Sequence, residues 1–474
     1  MIRKRFPRLR RTERQFSATG IVSMRQVPDG ACLFQYFHHE EIIMNENTIC
    51  PHFGKCGGCT NLDKAYELQL AEKEKLVWET LAPVVVEPLR ENWFEGIKPG
   101  PMPFEYRNKM EFTFGDECKD GPLALGMHKK RSFHDIVTVD GCRLVHPDFR
   151  LILRLTLDFF SERNISYFHR KLHTGFLRHL MVRRGVNSGQ ILVDIVTTTQ
   201  MPDKDADTLL KEWSDVLLDA KCDGRIIGEF AGILHTKNDT LSDAVKDEGT
   251  EVLYGRDHFF EELMGLKFRI SPFSFFQTNS AGAEVLYGVV REYVMEALGE
   301  DDMKDDPVIF DLYSGTGTIA QVLSAVAKRV IGVEIVEEAV LAARKNAELN
   351  GLHNCEFHAG DVMQKVKELS DGAPDLMILD PPRDGCHPKA LPGIIDLDAQ
   401  HIVYVSCKVK SLARDLIILQ DRGYKIVRAV AVDEFPQTEH VETVCLLSKL
   451  HEAKHHINVK VDMDELDLTS AEAA

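Results

Sequence analysis

The spacing of apolar residues changes character along the chain. From Asp63 to Leu81, DKAYELQLAEKEKLVWETL returns apolar side chains at helical intervals. Tyr66, Leu70, Val77 and Leu81 share one face and charges occupy the other, which predicts an amphipathic helix. Between residues 104 and 200 the period shortens. YRNKMEFTFG, PLALGMHKKRSFHDIVTVDGC and HLMVRRGVNSGQILVDIVTT are rich in β-formers, and Asn187-Ser188-Gly189 sits between two apolar runs as a hairpin turn. An α+β region with an antiparallel sheet is expected there. After Ser271 short apolar runs alternate with helical stretches: PVIFDLYSGTG, RVIGVEIV, EEAVLAARKNAELNG (ended by Gly351), CEFHAGD, DLMILDPP and HIVYVSC. Alternation of that kind predicts a mostly parallel, doubly wound sheet with helices on both faces.

The expected fold class is therefore α/β: a C-terminal Rossmann-like domain joined to an α+β central domain that carries a cysteine cluster. The boundaries fall at residues 1–43, a basic extension for which Met44 is an alternative start; 44–270, the α+β region; 271–452, the parallel-sheet domain; and 453–474, an acidic tail. A chain of 474 residues with 44% hydrophobic content is long enough for such domains. No apolar run is long enough to span a membrane, and no apolar segment follows the basic start as in a secretory signal, so a cytoplasmic protein is expected. The net charge of −17 argues against non-specific coating of nucleic acid but leaves room for a local basic face. Residues 161–185, SERNISYFHRKLHTGFLRHLMVRRG, are the basic stretch, and Tyr167, Phe168 and Phe176 within it could stack on bases. A solvated sheet face is the plainer alternative.

Candidate chemistry gathers at the predicted strand ends. VIFDLYSGTGTIA takes a strand through Asp311 into a turn at Gly315 and Gly317 and on into a helix. Glycines there admit a ligand close to the backbone, and the helix start offers free N–H groups. Glu334 ends the next strand, where a carboxylate can take both hydroxyls of a ribose. These residues suit an adenosine cofactor and leave NAD and S-adenosylmethionine open. Asp361 and Asp380 end two further strands, so Asp311, Glu334, Asp361 and Asp380 are expected along one crevice, with Asp361 as a helix cap the alternative. Near the N-terminus, Cys50-x5-Cys56-x2-Cys59 with a distant Cys142 suits a four-thiolate site for zinc or an iron–sulfur cluster, Cys118 being the competing fourth ligand. Cys407, ending YVSC, is either a nucleophile or a buried strand residue.

FSFFQTN (Phe273 to Asn279), DLYSGTG, DPPRDG, YVSC and VDEFPQTEHVE (Val432 to Glu442) together resemble the RNA uracil-5-methyltransferases that use S-adenosylmethionine. YRNK (Tyr106 to Lys109), LRHLMVRRG and the cysteine spacing add to the resemblance, which covers about residues 44–450. It implies Cys407 as nucleophile and Glu442 as base. Gln277, Tyr313, Glu334, Asp361 and Asp380 match positions that hold the cofactor or orient the uracil, while Arg383 is read equally well as a structural ion pair. It further implies a [4Fe–4S] cluster on Cys50, Cys56, Cys59 and Cys142, as in the ribosomal-RNA branch. The expected product is 5-methyluridine in 23S rRNA, made by a monomer; a tRNA substrate, or an iron–sulfur RNA-binding protein without catalysis, is the alternative. One departure stands out. The family follows the nucleophile with Asn-Pro and then Thr, whereas this chain reads SCKVKS. Lys408 beside the thiol would favour thiolate.

Overall fold

Along the strand Lys109–Asp116 burial alternates for most of its length, as it must where one face of a sheet meets a core and the other meets solvent. The computed structural model describes residues 50–449 except 202, 243–244, 301–305 and 370–372. The extension 1–43 and the tail 453–474 lie outside the described residues. Lys109–Asp116 is central to a seven-stranded sheet ordered Ile136–Thr138, Leu123–His128, Lys109–Asp116, Leu177–Arg184, Gln190–Thr197, Glu229–Lys237, Thr250–Gly255. The hairpin turn at 187–189 is where the pattern placed it, with Gly189 left-handed. The sheet is not wholly antiparallel, because Gln190–Thr197 and Glu229–Lys237 run parallel. Parallel neighbours need a crossover, and the helix Asp203–Cys222 supplies it. That helix and Pro147–Glu162 cover one face, burying Phe149, Phe160 and Trp213.

A second, eight-stranded sheet is ordered Phe94–Lys98, Tyr424–Val432, Glu442–Lys449, His401–Ser406, Leu376–Leu379, Val308–Leu312, Arg329–Glu334, Cys355–Ala359. The five strands from His401–Ser406 to Cys355–Ala359 are parallel, and Glu442–Lys449 runs against both of its neighbours. Both faces are buried, which explains the near-continuous apolar runs. Ile309, Val330 and Val403 enter one core with the helix Ser280–Glu300; Phe310, Ile331 and Tyr404 enter the other. The chain crosses from one side of Val308–Leu312 to the other between residues 334 and 376, so a topological switch point opens between Val308–Leu312 and Leu376–Leu379. Ligands bind at the carboxyl ends beside such a point.

Helix α1 (Tyr66–Leu81) and the strand Phe94–Lys98 belong to this second sheet by packing, although they precede it by two hundred residues or more. The buried stripe of α1 is Gln69, Lys73, Val77 and Leu81, spaced by four. The predicted face had Tyr66 and Leu70 in place of the two polar residues. Among the described residues no helix is long and apolar enough to cross a membrane.

Candidate active site

At the switch point the chain leaves Val308–Leu312 through Tyr313, Gly315 and Gly317, all with positive φ. Gly317 starts the helix Thr318–Leu323, and a Cβ there would lie 2.5 Å from the Phe357 ring, so only glycine fits. A Cβ on Gly315 would meet nothing, since that residue faces open space. The Glu334 carboxylate accepts from the Gly315 N–H (3.0 Å) and the Val336 N–H (2.9 Å), which fixes it at its strand end.

A cavity of about 1510 Å³ opens here, lined by Gln277, Tyr313, Glu334, Asp380, Cys407 and Glu442. Its size suits a nucleotide cofactor together with a base turned out of RNA. Two of the acids expected along the crevice are elsewhere. Asp311 is fully buried behind the wall, accepting from the Ala320 N–H (3.0 Å), and burial with the nearby Asp380 charge pushes its carboxyl up to about 8. Asp361 is exposed and does not line the cavity; it immediately precedes the helix Val362–Leu369, and its carbonyl accepts from Gln364 and Lys365.

The reacting end is set by strand register. Ser406 pairs with Thr443 across antiparallel strands, so the next residues, Cys407 and Glu442, come side by side and both line the cavity. The Cys407 thiol is pushed up to about 11 by burial and by the charges of Glu442 and Asp380, with Arg383 opposing. Lys408 is not the cation that acts on this thiol. Its ammonium pairs with Asp384 at 3.6 Å, and Arg383 takes that part. Arg383 is no mere structural ion pair: its guanidinium faces the cavity, 3.2 Å from His440 Nδ1.

The SCKVKS departure is accommodated by the helix Val409–Asp421, which begins two residues after Cys407. Proline is favoured at the first helical position, but buried Val409 fills it without loss of the helix. Ser406 Oγ accepts from the Lys408 N–H (3.2 Å) and donates to the Lys408 carbonyl (3.1 Å), and Ser411 Oγ donates to the Arg383 carbonyl (2.9 Å). Glu442 is buried, and desolvation with the Asp380 charge pushes its carboxyl up to about 8. Glu434 is a further acid that the sequence reading passed over. It is fully buried with both carboxylate oxygens unpartnered, and desolvation beside Glu442 and Asp380 raises it well above the ordinary range.

The remaining motifs brace this site. Asn108 of YRNK donates to the Gln277 carbonyl and to Ser280 Oγ, both at 2.9 Å. Arg183, fully buried, donates to the carbonyls of Ser271, Pro272 (3.1 Å) and Ser274 (2.9 Å), which shape the FSFFQTN segment. The basic stretch is therefore not an open RNA face throughout. Phe168 and Phe176 are buried, and Arg178 lies over the Phe168 ring with its guanidinium on the carbonyls of Asn238, Thr240 and Ser242. The exposed parts are the start, Ser161 to Asn164, then Ser166, and the tip at Lys171 to Thr174.

Cys50, Cys56, Cys59 and Cys142 line the far end of the same cavity, whereas Cys118 is exposed and apart from them. Among the described residues no three His, Cys, Asp or Glu side chains stand in a metal-binding arrangement. The four thiols are nonetheless mutual neighbours. Burial and the charges of Cys142, Cys56 and Cys50 push Cys59 up to about 12.

A glycine turn and an acid at the next strand end stand at the switch point of a parallel sheet, in a cavity that also holds a thiol and a carboxylate, the arrangement of a nucleotide-binding α/β fold. Residues 246–450 match the tRNA (Uracil-5-)-methyltransferase family. The chain is 46% identical over 400 residues to an uncharacterized RNA methyltransferase of Caldanaerobacter subterraneus, covering 84% of each. It is 47% identical over 395 residues to one of Clostridium tetani, covering 83% of this chain and 82% of that one. Among solved structures, the Pyrococcus abyssi tRNA (uracil-54, C5)-methyltransferase with S-adenosyl-L-homocysteine is similar at a TM-score of 0.64 and 29% identity, over 83% of this chain and 86% of that one. The chain belongs to the RNA uracil-5-methyltransferase family, enzymes that methylate RNA with S-adenosylmethionine.

Proposed function

We propose that this enzyme methylates carbon 5 of a uridine in 23S rRNA, with Cys407 as nucleophile and Glu442 as base. The observation that carries the assignment is the Ser406–Thr443 register, which brings a thiol and a carboxylate together in the cavity that also holds the glycine turn and Glu334. Carbon 5 of uracil is too weakly nucleophilic to take a methyl group unaided. The Cys407 thiolate adds to carbon 6, and the displaced π electrons make an enolate whose carbon 5 is nucleophilic. S-adenosylmethionine, when bound, supplies the electrophilic methyl group. Glu442 then takes the carbon 5 proton; the C–H electron pair re-forms the C5–C6 double bond and the C6–S bond breaks, returning the thiolate. Arg383 favours the charged forms of both groups.

Glu334 is assigned to the ribose hydroxyls, and Gln277, Tyr313 and Asp380 to the remainder of the cofactor and the uracil ring. Asp361, although it does not line the cavity, follows the neighbouring strand end and is assigned to the adenine end. Cys50, Cys56, Cys59 and Cys142 are assigned to a [4Fe–4S] cluster. Four neighbouring thiols are the donor set such a cluster takes, and its role would be to organise a loop-rich segment. The cluster favours ribosomal RNA. The tRNA substrate of the Pyrococcus relative favours tRNA as the second reading. A binding protein without catalysis loses its motive, because the SCKVKS turn folds with Cys407 in place.

The test is covalent trapping on RNA containing 5-fluorouridine, with rRNA and tRNA pools assayed separately. Fluorine cannot leave as a proton, so the enzyme should remain attached after methyl transfer. The adduct is expected with rRNA, to require S-adenosylmethionine and to vanish in Cys407→Ala. An adduct with tRNA alone would reassign the substrate, and none with either pool would reject the mechanism.

A further inference from the structure

The loop 433–441 leads into Glu442, and many of its hydrogen bonds come from the segment that follows Cys59, with others from Lys98, Pro103, Tyr106 and Asn279. The loop leaves the strand Tyr424–Val432 and returns as Glu442–Lys449, with Val432 paired to Glu442, so its conformation fixes where the base begins. At its tip Gln437 has φ 69, an uncommon conformation for a residue with a side chain, and one that persists only where its surroundings hold it. Gln69 of α1, fully buried, makes a two-way amide contact with it. Gln69 Nε2 donates to Gln437 Oε1 (2.9 Å), and the Gln437 N–H donates to Gln69 Oε1 (3.0 Å). The Gln437 carbonyl accepts from the N–H groups of Thr60 and Asn61, both at 3.1 Å, directly after Cys59.

One turn further along α1, Lys73 Nζ lies 2.6 Å from Asp433 Oδ1 in a buried ion pair and donates to the Phe435 carbonyl (3.1 Å). Tyr66 OH donates to Asp433 Oδ2 (2.8 Å). These polar groups occupy the stripe of α1 where an amphipathic helix ordinarily carries apolar residues. Burying an amide and an ammonium there is costly unless each is matched, and each is matched by this loop.

We infer that Gln69, Lys73 and the Thr60–Asn61 turn form a latch that positions Glu442 for removal of the carbon 5 proton, tying the cysteine-bearing segment to the last chemical step. The inference rests on the assignment of Glu442 as base. It separates two roles. A residue that only supports folding would lower every step together, whereas a positioning residue for the base stalls the reaction after methyl transfer, with RNA still bound to Cys407.

The experiment uses the full chain with ordinary, unfluorinated substrate RNA and S-adenosylmethionine. Denaturing gels and mass spectrometry read the methylated protein–RNA adduct, and calorimetry reads S-adenosylhomocysteine binding. Gln69→Leu is expected to lower turnover about 10- to 100-fold, the effect of a misplacement on the order of 1 Å. It should accumulate the methylated adduct and bind S-adenosylhomocysteine as the wild type does. Should Gln69→Leu fail to fold, Tyr66→Phe removes one hydroxyl of the latch and is expected to give the same adduct at a smaller amplitude. Turnover lost without adduct, or lost in parallel with S-adenosylhomocysteine binding, or wild-type turnover in a folded Gln69→Leu protein would each overturn the latch. Glu442→Gln is run alongside. If it too gives no adduct, the assignment of the base has failed; if it traps adduct and the α1 variants do not, the latch alone has failed.

Discussion

At the scale of single residues, the site gathers acids that hold protons more tightly than they would in water. Asp380 is pushed to about 7 by burial, and Glu442 and Asp311 to about 8 by burial and the charge of Asp380. The folded protein therefore binds more protons at these groups than the unfolded chain does. Their contribution to stability is complete below the ordinary carboxylate range and is lost as pH rises through about 7 to 8. The thermal midpoint of the cofactor-free enzyme is accordingly expected to fall between about pH 5 and about pH 9, with a shallower slope in Asp311→Asn. An unchanged slope in that variant would remove Asp311 from the account. Activity should run the other way. A base near 8 and a thiol near 11 must both lose protons, so single-turnover release of methylated RNA should rise with pH through about 8 and above it. Glu442→Gln should lower turnover by about 10²- to 10⁴-fold, read as adduct persistence in single-turnover assays. Arg383→Met should depress the rate most at low pH, because the cation that favours both charged forms is gone; an equal loss at every pH would count against it.

At the scale of elements, α1 joins two distant parts of the chain through a buried ion pair. Lys73→Met leaves Asp433 charged and uncompensated in the interior, with an expected cost of about 3–5 kcal/mol in urea unfolding. Lys73→Met combined with Asp433→Leu should recover most of that stability, since a well-packed apolar pair replaces a buried ionic one at little cost. The double variant should still accumulate adduct if Lys73 also helps to place the loop. Arg183 is the corresponding brace on the cofactor side, three carbonyls of residues 271–274 converging on one guanidinium. All three contacts come from the terminal nitrogen Nη1, and the shorter lysine side chain places its ammonium short of that point, so Arg183→Lys should weaken S-adenosylhomocysteine binding in calorimetry while Cys407 stays reactive.

At the scale of the whole molecule, one cavity is lined both by the four N-terminal thiols and by Cys407. Arg178 and Arg183 of the basic stretch are taken up in bracing loops, which leaves fewer of its cations for phosphates. RNA affinity should show a shallow dependence on salt, the slope of log K against log salt counting only a handful of contacts. A slope as steep as that of a protein with many phosphate contacts would disprove this. Anaerobically prepared protein is expected to carry about four iron and four sulfide per chain. Zinc in their place would remove the cluster and leave the methyltransferase chemistry standing.

The sequence by itself determined the parallel sheet, the glycine turn and Glu334 at its strand end. Strand periodicity, turn chemistry and short motifs are local, and local spacing records them. The fate of Asp311, Asp361 and the basic stretch could not be read that way, because burial and charge partners depend on what packs against each residue. Lys408 follows Cys407 in sequence and yet turns to Asp384, while Arg383, from another strand end, acts on the thiol. The polar stripe of α1 was hidden for the same reason. Gln69 and Lys73 are matched by Gln437 and Asp433, more than 350 residues away, and only the tertiary fold brings those groups close enough to offset the cost of taking them out of water.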